Sequence, residues 1–398
     1  MSTLRDRVHS LVALSSSYVL RRPTATVVGT KHVLRGSLIF AAIPVCAAWA
    51  VGLAATGAVT AFRIGVRVRR APVLRVAPEL LVRPEDIVPV CSLVSDTHIV
   101  APDRNPCELE ADRVQWPWGE LPSHRTLETG LRRVLGHIFR HAPRTVVWCG
   151  DEVDTGDRLE WRRWHDIVET VPGLAHRILP GNHDVCFNRP FDEDYTLARR
   201  AMRERAYQDH AGRLADFPIV DTIITEVGPV TTILLDSCRH RSTHVLSNAI
   251  GQFADDQLDE LERLLERIRG PVCIATHHHV WRDTHFMQPE VWFETAIDAD
   301  RLISILGAYR RRSSGNQVLV CHGHRHILAA GMVGDPEAPI AVVGLPSTTL
   351  GDKSTTGRLD GILRYGIAGL RRDGTWAVAI REVGVLLQHP SAGAHASG

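Results

Sequence analysis

Five times in this chain an apolar run stops at a cluster of aspartate, asparagine or histidine. The clusters are Asp96-Thr97-His98, Gly150-Asp151 with Asp154, Gly181-Asn182-His183-Asp184, His277-His278-His279 and Gly323-His324-Arg325-His326. Carboxylate and amide oxygens mixed with imidazoles suit Mn, Fe, Co or Zn better than Ca, and thiolates are missing from the set. Two carboxylates, one amide and four histidines are too many ligands for a single ion. They suit a pair of ions with a carboxylate bridging them.

The elements that must position these clusters can be read from periodicity. The runs PVCSLVSD, RTVVWCGD, HRILPGNHD, PVCIATHHH and QVLVCHGH have strand character, and each ends in one of the clusters. Helical spacing marks 124–141 (Leu127, Leu131, Val134, Leu135, Ile138), 157–171, 195–212, 254–269 and a stretch near 298–311. Further strands are expected near 218–226 and 230–236, and the C-terminal part reads as purely β. Strands alternating with helices before a β-rich end argue for an α/β layered domain. In such folds the carboxyl ends of strands and the loops after them assemble the site, because a rigid sheet aims the loop residues into one crevice.

The five clusters, in this order, resemble the signature blocks of the calcineurin-like metallophosphoesterases: D-x-H, G-D-x-x-D, G-N-H-[DE], a strand-terminal His and G-H-x-H. The resemblance covers roughly residues 89–350, and the spellings SDTH, GNHD and GHxH are most similar to the class III cyclic-nucleotide phosphodiesterase-like members. It implies a four-layer αββα sandwich that hydrolyses phosphomonoester or phosphodiester bonds of a small phosphate ester. It also implies one metal held by Asp96, His98, Asp151 and His326, and a second held by Asp151, Asn182, His277 and His324. The ions would be divalent or trivalent Mn, Fe, Zn or Co, with a metal-bridging hydroxide as nucleophile. His183 is then the candidate acid for the leaving oxygen, oriented by Asp184 or Asp154, and His183 and Asp184 form the catalytic pair. Only one of His277, His278 and His279 is needed as a ligand; the first sits where the family places its histidine, and His278 stays open as the alternative.

Two departures from the family pattern blur any transfer of substrate class. The insert 101–123, with Asp103, Arg104, Trp116 and Trp118, is longer than a minimal member needs, and a triple histidine replaces the commoner His-His-Pro. Arg325 is expected to point away from the ligands on either side of it, and His240, His244 and His285 to be surface or loop residues. The Gly- and Thr-rich stretch Pro346–Gly357 lacks the spacing of a phosphate-binding P-loop and reads as a plain loop.

The whole-chain totals constrain little else. Net charge is +1 over 398 residues, so no global field selects nucleic acid as a partner. The eight cysteines are scattered without a C-x-x-C pair and read as small reduced hydrophobes. Residues 37–62 contain no charge, and a helix of that length rises about 39 Å, enough to cross a hydrocarbon layer of roughly 30 Å. Basic residues flank both ends, and the denser cluster after the span places the C-terminal bulk in the cytoplasm by the positive-inside rule. The first 36 residues are also Arg- and Ser-bearing and acid-poor, so an organelle presequence is a second reading of them. The expected organisation is a basic segment at 1–36, a single membrane span at 37–62, a linker at 63–88, the catalytic domain at 89–385 and a tail at 386–398. A membrane-bound metal-dependent nuclease and a non-catalytic scaffold of the same fold are the rival readings.

Overall fold

Leu127, Leu131, Val134, Leu135 and Ile138 all lie buried on one face of helix α1 (His124–His141). Ser123 caps its first turn, accepting the Thr126 N–H at 3.3 Å. In the computed structural model this helix is one of six among the described residues, interleaved there with twelve strands. The described residues are 70–102, 123–185, 197–239, 250–282, 295–353 and 359–386.

The chain order is β1 (Arg75–Val76), β2 (Val88–Val94), α1, β3 (Thr145–Trp148), α2 (Arg158–Val168), β4 (Ala175–Ile178), the short α3 (Asn182–Val185) and α4 (Leu197–His210). There follow β5 (Ile219–Thr225), β6 (Gly228–Leu234), α5 (Asp255–Arg267), β7 (Val272–Ala275), α6 (Ala299–Arg311) and β8 (Val318–His322). The β-rich end comprises β9 (Ala329–Val333), β10 (Ile340–Gly344), β11 (Ile362–Leu370) and β12 (Trp376–Val385). All the helices and strands expected from periodicity are present, with ends shifted by a few residues.

Two sheets form, one of five strands in the order β12-β11-β2-β3-β4 and one of seven in the order β1-β9-β10-β8-β7-β6-β5. Strands β2, β3 and β4 run parallel, as do β6, β7, β8 and β10 in the other sheet. Side chains alternate between faces with a period of two, and the packing follows that alternation. Cys273 and Cys321 join the core shared with the five-stranded sheet, whereas Val272, Ile274, Val318 and Val320 pack under α5 and α6. On the far side, Leu131 and Leu135 of α1 and Trp161 and Trp164 of α2 extend the core of the five-stranded sheet. The result is a mixed α/β sandwich of two sheets. Cys91, Cys149, Cys273 and Cys321 are free and buried in it, the role expected of small apolar residues.

The span expected as a linker up to residue 88 joins the fold from Ala71 onward. Arg75 and Val76 pair antiparallel with Met332 and Gly331, and Ala77, Leu80 and Ile87 are buried. Short apolar residues separated by prolines have no period, so only their pairing with a strand some 250 residues later gives them a place. No helix among the described residues is long and apolar enough to cross a membrane. The expected span at 37–62, the segment 1–36 and all but the first residue of the tail 386–398 lie outside the described residues.

Candidate metal centre

All five clusters sit just past the carboxyl ends of parallel strands: β2, β3 and β4 in one sheet, β7 and β8 in the other. The backbone there is unusual. Asp96 (φ 52°), His98 (φ 45°), Asp151 (φ 57°), His324 (φ 73°) and His326 (φ 54°) are all left-handed. They are the only non-glycine residues with positive φ among the described residues, and all five belong to the seven expected ligands. Left-handed backbone costs a non-glycine residue on the order of 1–3 kcal/mol and persists only where surrounding contacts over-determine it, as they do at functional sites. Close approach is equally demanding. A Cβ on Gly150, itself at φ +91°, would lie 2.5 Å from His277 Nδ1, and one on Gly181 would lie 2.0 Å from Asp151 Oδ1.

The seven side chains fall into two groups. In the first, His98 Nε2 lies 3.1 Å from His326 Nε2, and His326 Nε2 lies 3.5 Å from Asp96 Oδ1. In the second, His277 Nε2 lies 2.9 Å from Asn182 Oδ1, 3.2 Å from His324 Nδ1 and 3.3 Å from Asp151 Oδ2. Asp151 Oδ2 is also 4.0 Å from His98 Nε2, so this carboxylate stands between the two groups.

Hydrogen bonds made by the far ring nitrogens decide what the near ones offer. His277 Nδ1 donates to the Cys149 carbonyl at 2.9 Å, and His98 Nδ1 donates to Asp154 Oδ1 at 3.2 Å. In the neutral rings both Nε2 atoms therefore carry lone pairs, and these lone pairs face carboxylate and amide oxygens and further imidazole nitrogens. His324 Nε2, on the opposite side of its ring from His277, is buried without a hydrogen-bond partner among the described residues. With the rings neutral, acceptors converge on acceptors, an arrangement that a cation between them satisfies, and this donor set fits two.

Titration follows the same charge balance. Burial disfavours a charged His277, but the Asp151 carboxylate beside it outweighs that and raises its pKa to about 9. Burial raises Asp151 in turn, yet His277 and His183 hold its carboxyl below the ordinary range. In the metal-free protein the His277–Asp151 pair stabilises the fold fully below the ordinary imidazole pKa near 6.5, and that contribution is lost as pH rises through about 9. A metal ion competes with that proton, so its binding strengthens across the same window. The rise in Tm on adding Mn is therefore expected to be larger at pH 9 than at pH 6.5. Equal Tm shifts at the two pH values would contradict it.

The family profile described as calcineurin-like phosphoesterase matches residues 93–328, which contain all five clusters. The chain belongs to that family. With the acceptor groups above, membership makes it a metal-dependent phosphoester hydrolase. No curated protein sequence matches the chain. Among solved structures it is similar to a dimetal phosphatase from Danio rerio, with 16% identity and a TM-score of 0.46, over 76% of this chain and 98% of that one. It is also similar to a purple acid phosphatase from yellow lupin, with 9% identity and a TM-score of 0.44, over 73% of this chain and 53% of that one. A PhoD structure matches at 14% identity and a TM-score of 0.42, over 67% of this chain and 58% of that one.

Around this phosphoesterase centre, several expected residues take different roles. His183 follows Asn182 on α3 and is almost fully buried, its Nδ1 donating to the Asp154 carbonyl at 2.7 Å. Its ring meets that of His98 edge-on at 4.7 Å. The Asp184 carboxylate accepts three backbone N–H groups, from Gly181 at 2.7 Å, Asp151 at 2.8 Å and Val153 at 3.1 Å. It turns toward the strand ends because those amides, freed where β3 and β4 stop, have no ladder partner. The residue beside His183 is Asp154, which also holds His98.

His278 turns to Ser237, with Nδ1 2.8 Å from the hydroxyl, while His277 lies against Asp151 and Asn182. A ring nitrogen of His278 is nevertheless within 4.8 Å of donor atoms on His277 and His324. His279 pairs with the Thr295 hydroxyl at 2.7 Å, and the Arg325 guanidinium lies 5.8 Å from the Trp281 ring centroid. Asp103, Arg104, Trp116, Trp118, His240, His244 and His285 lie outside the described residues. Sequence reasoning missed Glu152, whose pKa burial and the neighbouring Asp184 carboxylate push well up. It also missed the hydroxyls of Ser347, Thr348 and Thr349, whose one available signal was their place after a strand.

Proposed function

We propose that this protein hydrolyses phosphomonoester or phosphodiester bonds of small phosphate esters with two metal ions. Asp96, His98, Asp151 and His326 would hold one ion, and Asp151, Asn182, His277 and His324 the other. The supporting observation is the convergence of ring nitrogens on Asp151 from both sides, at 3.3 Å from His277 and 4.0 Å from His98. When bound, the pair supplies positive charge against the phosphoryl oxygens and lowers the pKa of the attacking water. Mn, Fe, Zn and Co all suit these donors.

The chain's own residues supply orientation and a proton. Asp154 fixes the His98 ring through Nδ1 and so aims Nε2 at the first group. The Asp154 carbonyl accepts the Nδ1–H of His183, so that His183, in its imidazolium form, would give its Nε2 proton to the leaving oxygen and be left neutral with the hydrogen on Nδ1. Asp184 and Glu152 act on the loop backbone rather than on substrate.

The uncharged stretch 37–62 is proposed as a single-pass anchor with the catalytic domain in the cytoplasm. With Ala71 buried in the fold, the eight residues 63–70 span at most about 28 Å, which would keep that point of the domain near the membrane surface. Protease protection of the domain in right-side-out vesicles, with cleavage once they are inverted, is the expected result.

The deciding experiment is a phosphate-ester screen of the full chain with added Mn, Fe, Zn or Co. Substrates would include p-nitrophenyl phosphate, bis-p-nitrophenyl phosphate and cyclic nucleotides. Protein that carries two ions per chain and hydrolyses none of them would overturn the enzymatic reading in favour of a scaffold. Cleavage confined to single-stranded DNA would replace it with a nuclease.

A further inference from the structure

Strand β10 lies parallel beside β8, so the chain leaving it at Gly344 emerges at the same sheet end as His324. Three residues on, Ser347, Thr348 and Thr349 are at most 1% exposed. Ser347 Oγ donates to the Asp96 carbonyl at 2.6 Å and accepts the Leu350 N–H at 2.9 Å. Thr349 Oγ1 donates to the Thr97 carbonyl at 2.8 Å. Between them, the Thr348 N–H donates to the Ser95 carbonyl at 2.8 Å, and Thr348 Oγ1 accepts the Ser95 N–H at 3.1 Å. Four bonds from one tripeptide thus hold three successive residues on a loop about 250 positions earlier in the chain.

Those three residues lead directly into the strained turn that carries Asp96 (φ 52°) and His98 (φ 45°). Two left-handed residues so close together need an external hold, and buried carbonyls need donors. The serine and threonine hydroxyls supply both. Ser347 and Thr349 each have one hydroxyl proton and give it to a main-chain carbonyl, so neither has a proton left to bind phosphate. This separates the stretch from a phosphate-binding loop.

We propose that Ser347, Thr348 and Thr349 are positioning residues for the Asp96–His98 half of the metal centre, locking its backbone so that both donors meet one ion. This rests on the two-ion reading above. General scaffolding would weaken the fold without preferring one site. A positioning role weakens the site of Asp96, His98 and His326 and spares that of Asn182, His277 and His324.

The test is titration of the metal-free full chain with Mn by calorimetry, in wild type, Ser347→Ala, Thr349→Val, Thr349→Ser and His326→Ala. His326→Ala identifies the first site, because it removes a donor from that group alone. Ser347→Ala and Thr349→Val are expected to weaken that same site by about 10–100-fold, the usual effect of losing a partner that orients a ligand. The other site should stay within about threefold of wild type, and Thr349→Ser, which keeps the hydroxyl, should bind both ions normally. Wild-type binding in Ser347→Ala and Thr349→Val, or equal weakening of both sites, would overturn the proposal. So would loss of fold in both variants while Thr349→Ser folds, since that assigns the hydroxyls to scaffolding. Wild-type protein that binds fewer than two ions would instead sink the two-ion reading, and this inference with it.

Discussion

Asp151→Ala is expected to remove metal pairing and activity together. Its Oδ2 lies within 4.0 Å of Nε2 on both His98 and His277, so both acceptor groups lose their shared anion. Each bound ion contributes several kcal/mol to a phosphoryl transition state, and each 1.36 kcal/mol is tenfold in rate. The fall in kcat should therefore exceed about 10⁴-fold. Asp151→Asn is the sharper variant, because an amide oxygen can still accept the His183 N–H that Oδ1 accepts at 2.8 Å. It keeps the loop and removes only the charge. Elemental analysis should find fewer than two ions per chain in both variants, and two ions with normal turnover in Asp151→Asn would remove Asp151 from the shared position.

His183→Ala separates acid catalysis from metal binding. The side chain is outside the seven expected ligands; its Nδ1 is tied to the Asp154 carbonyl at 2.7 Å, and its ring meets that of His98 edge-on. Both ions should remain, and kcat should fall by about 10²–10⁴-fold, the range for a positioned general acid. An ester with a leaving group too acidic to need a proton should lose much less. Uniform loss across leaving groups, or normal turnover with a poor one, would exclude His183 as the acid. Asp184→Asn makes a useful contrast: its carboxylate accepts backbone N–H groups of Gly181, Asp151 and Val153, so the effect should fall on Tm and metal affinity together.

Chain order and residue type were enough to pick out seven oxygen- and nitrogen-bearing side chains that the fold brings together. Strands advertise themselves by apolar runs, and hard oxygen donors mixed with imidazoles at strand ends have few other uses. The same periodicity placed the helices, because α1 and α5 bury a regular stripe. It failed at residues 71–88, which lack any period and earn a place only by pairing β1 with β9 and burying Leu80 and Ile87. Nor does local spacing show where the Asp184 carboxylate turns, since a sequence shows that it adjoins His183 but not that three amides freed at strand ends will claim it.

The sequence alone established the family resemblance, the donor types and the order in which they appear, because these depend on residue identity and local spacing. Three things became visible only with the chain folded. The proton positions on His98 and His277 depend on a carboxylate 56 residues away in one case and a carbonyl 128 residues away in the other. His277 and His278 differ in direction, one toward Asp151 and the other toward Ser237, because successive side chains leave a strand end on opposite sides. The hold of Ser347 on Asp96 spans 251 residues, and no local pattern encodes a contact that two sheets create by packing together.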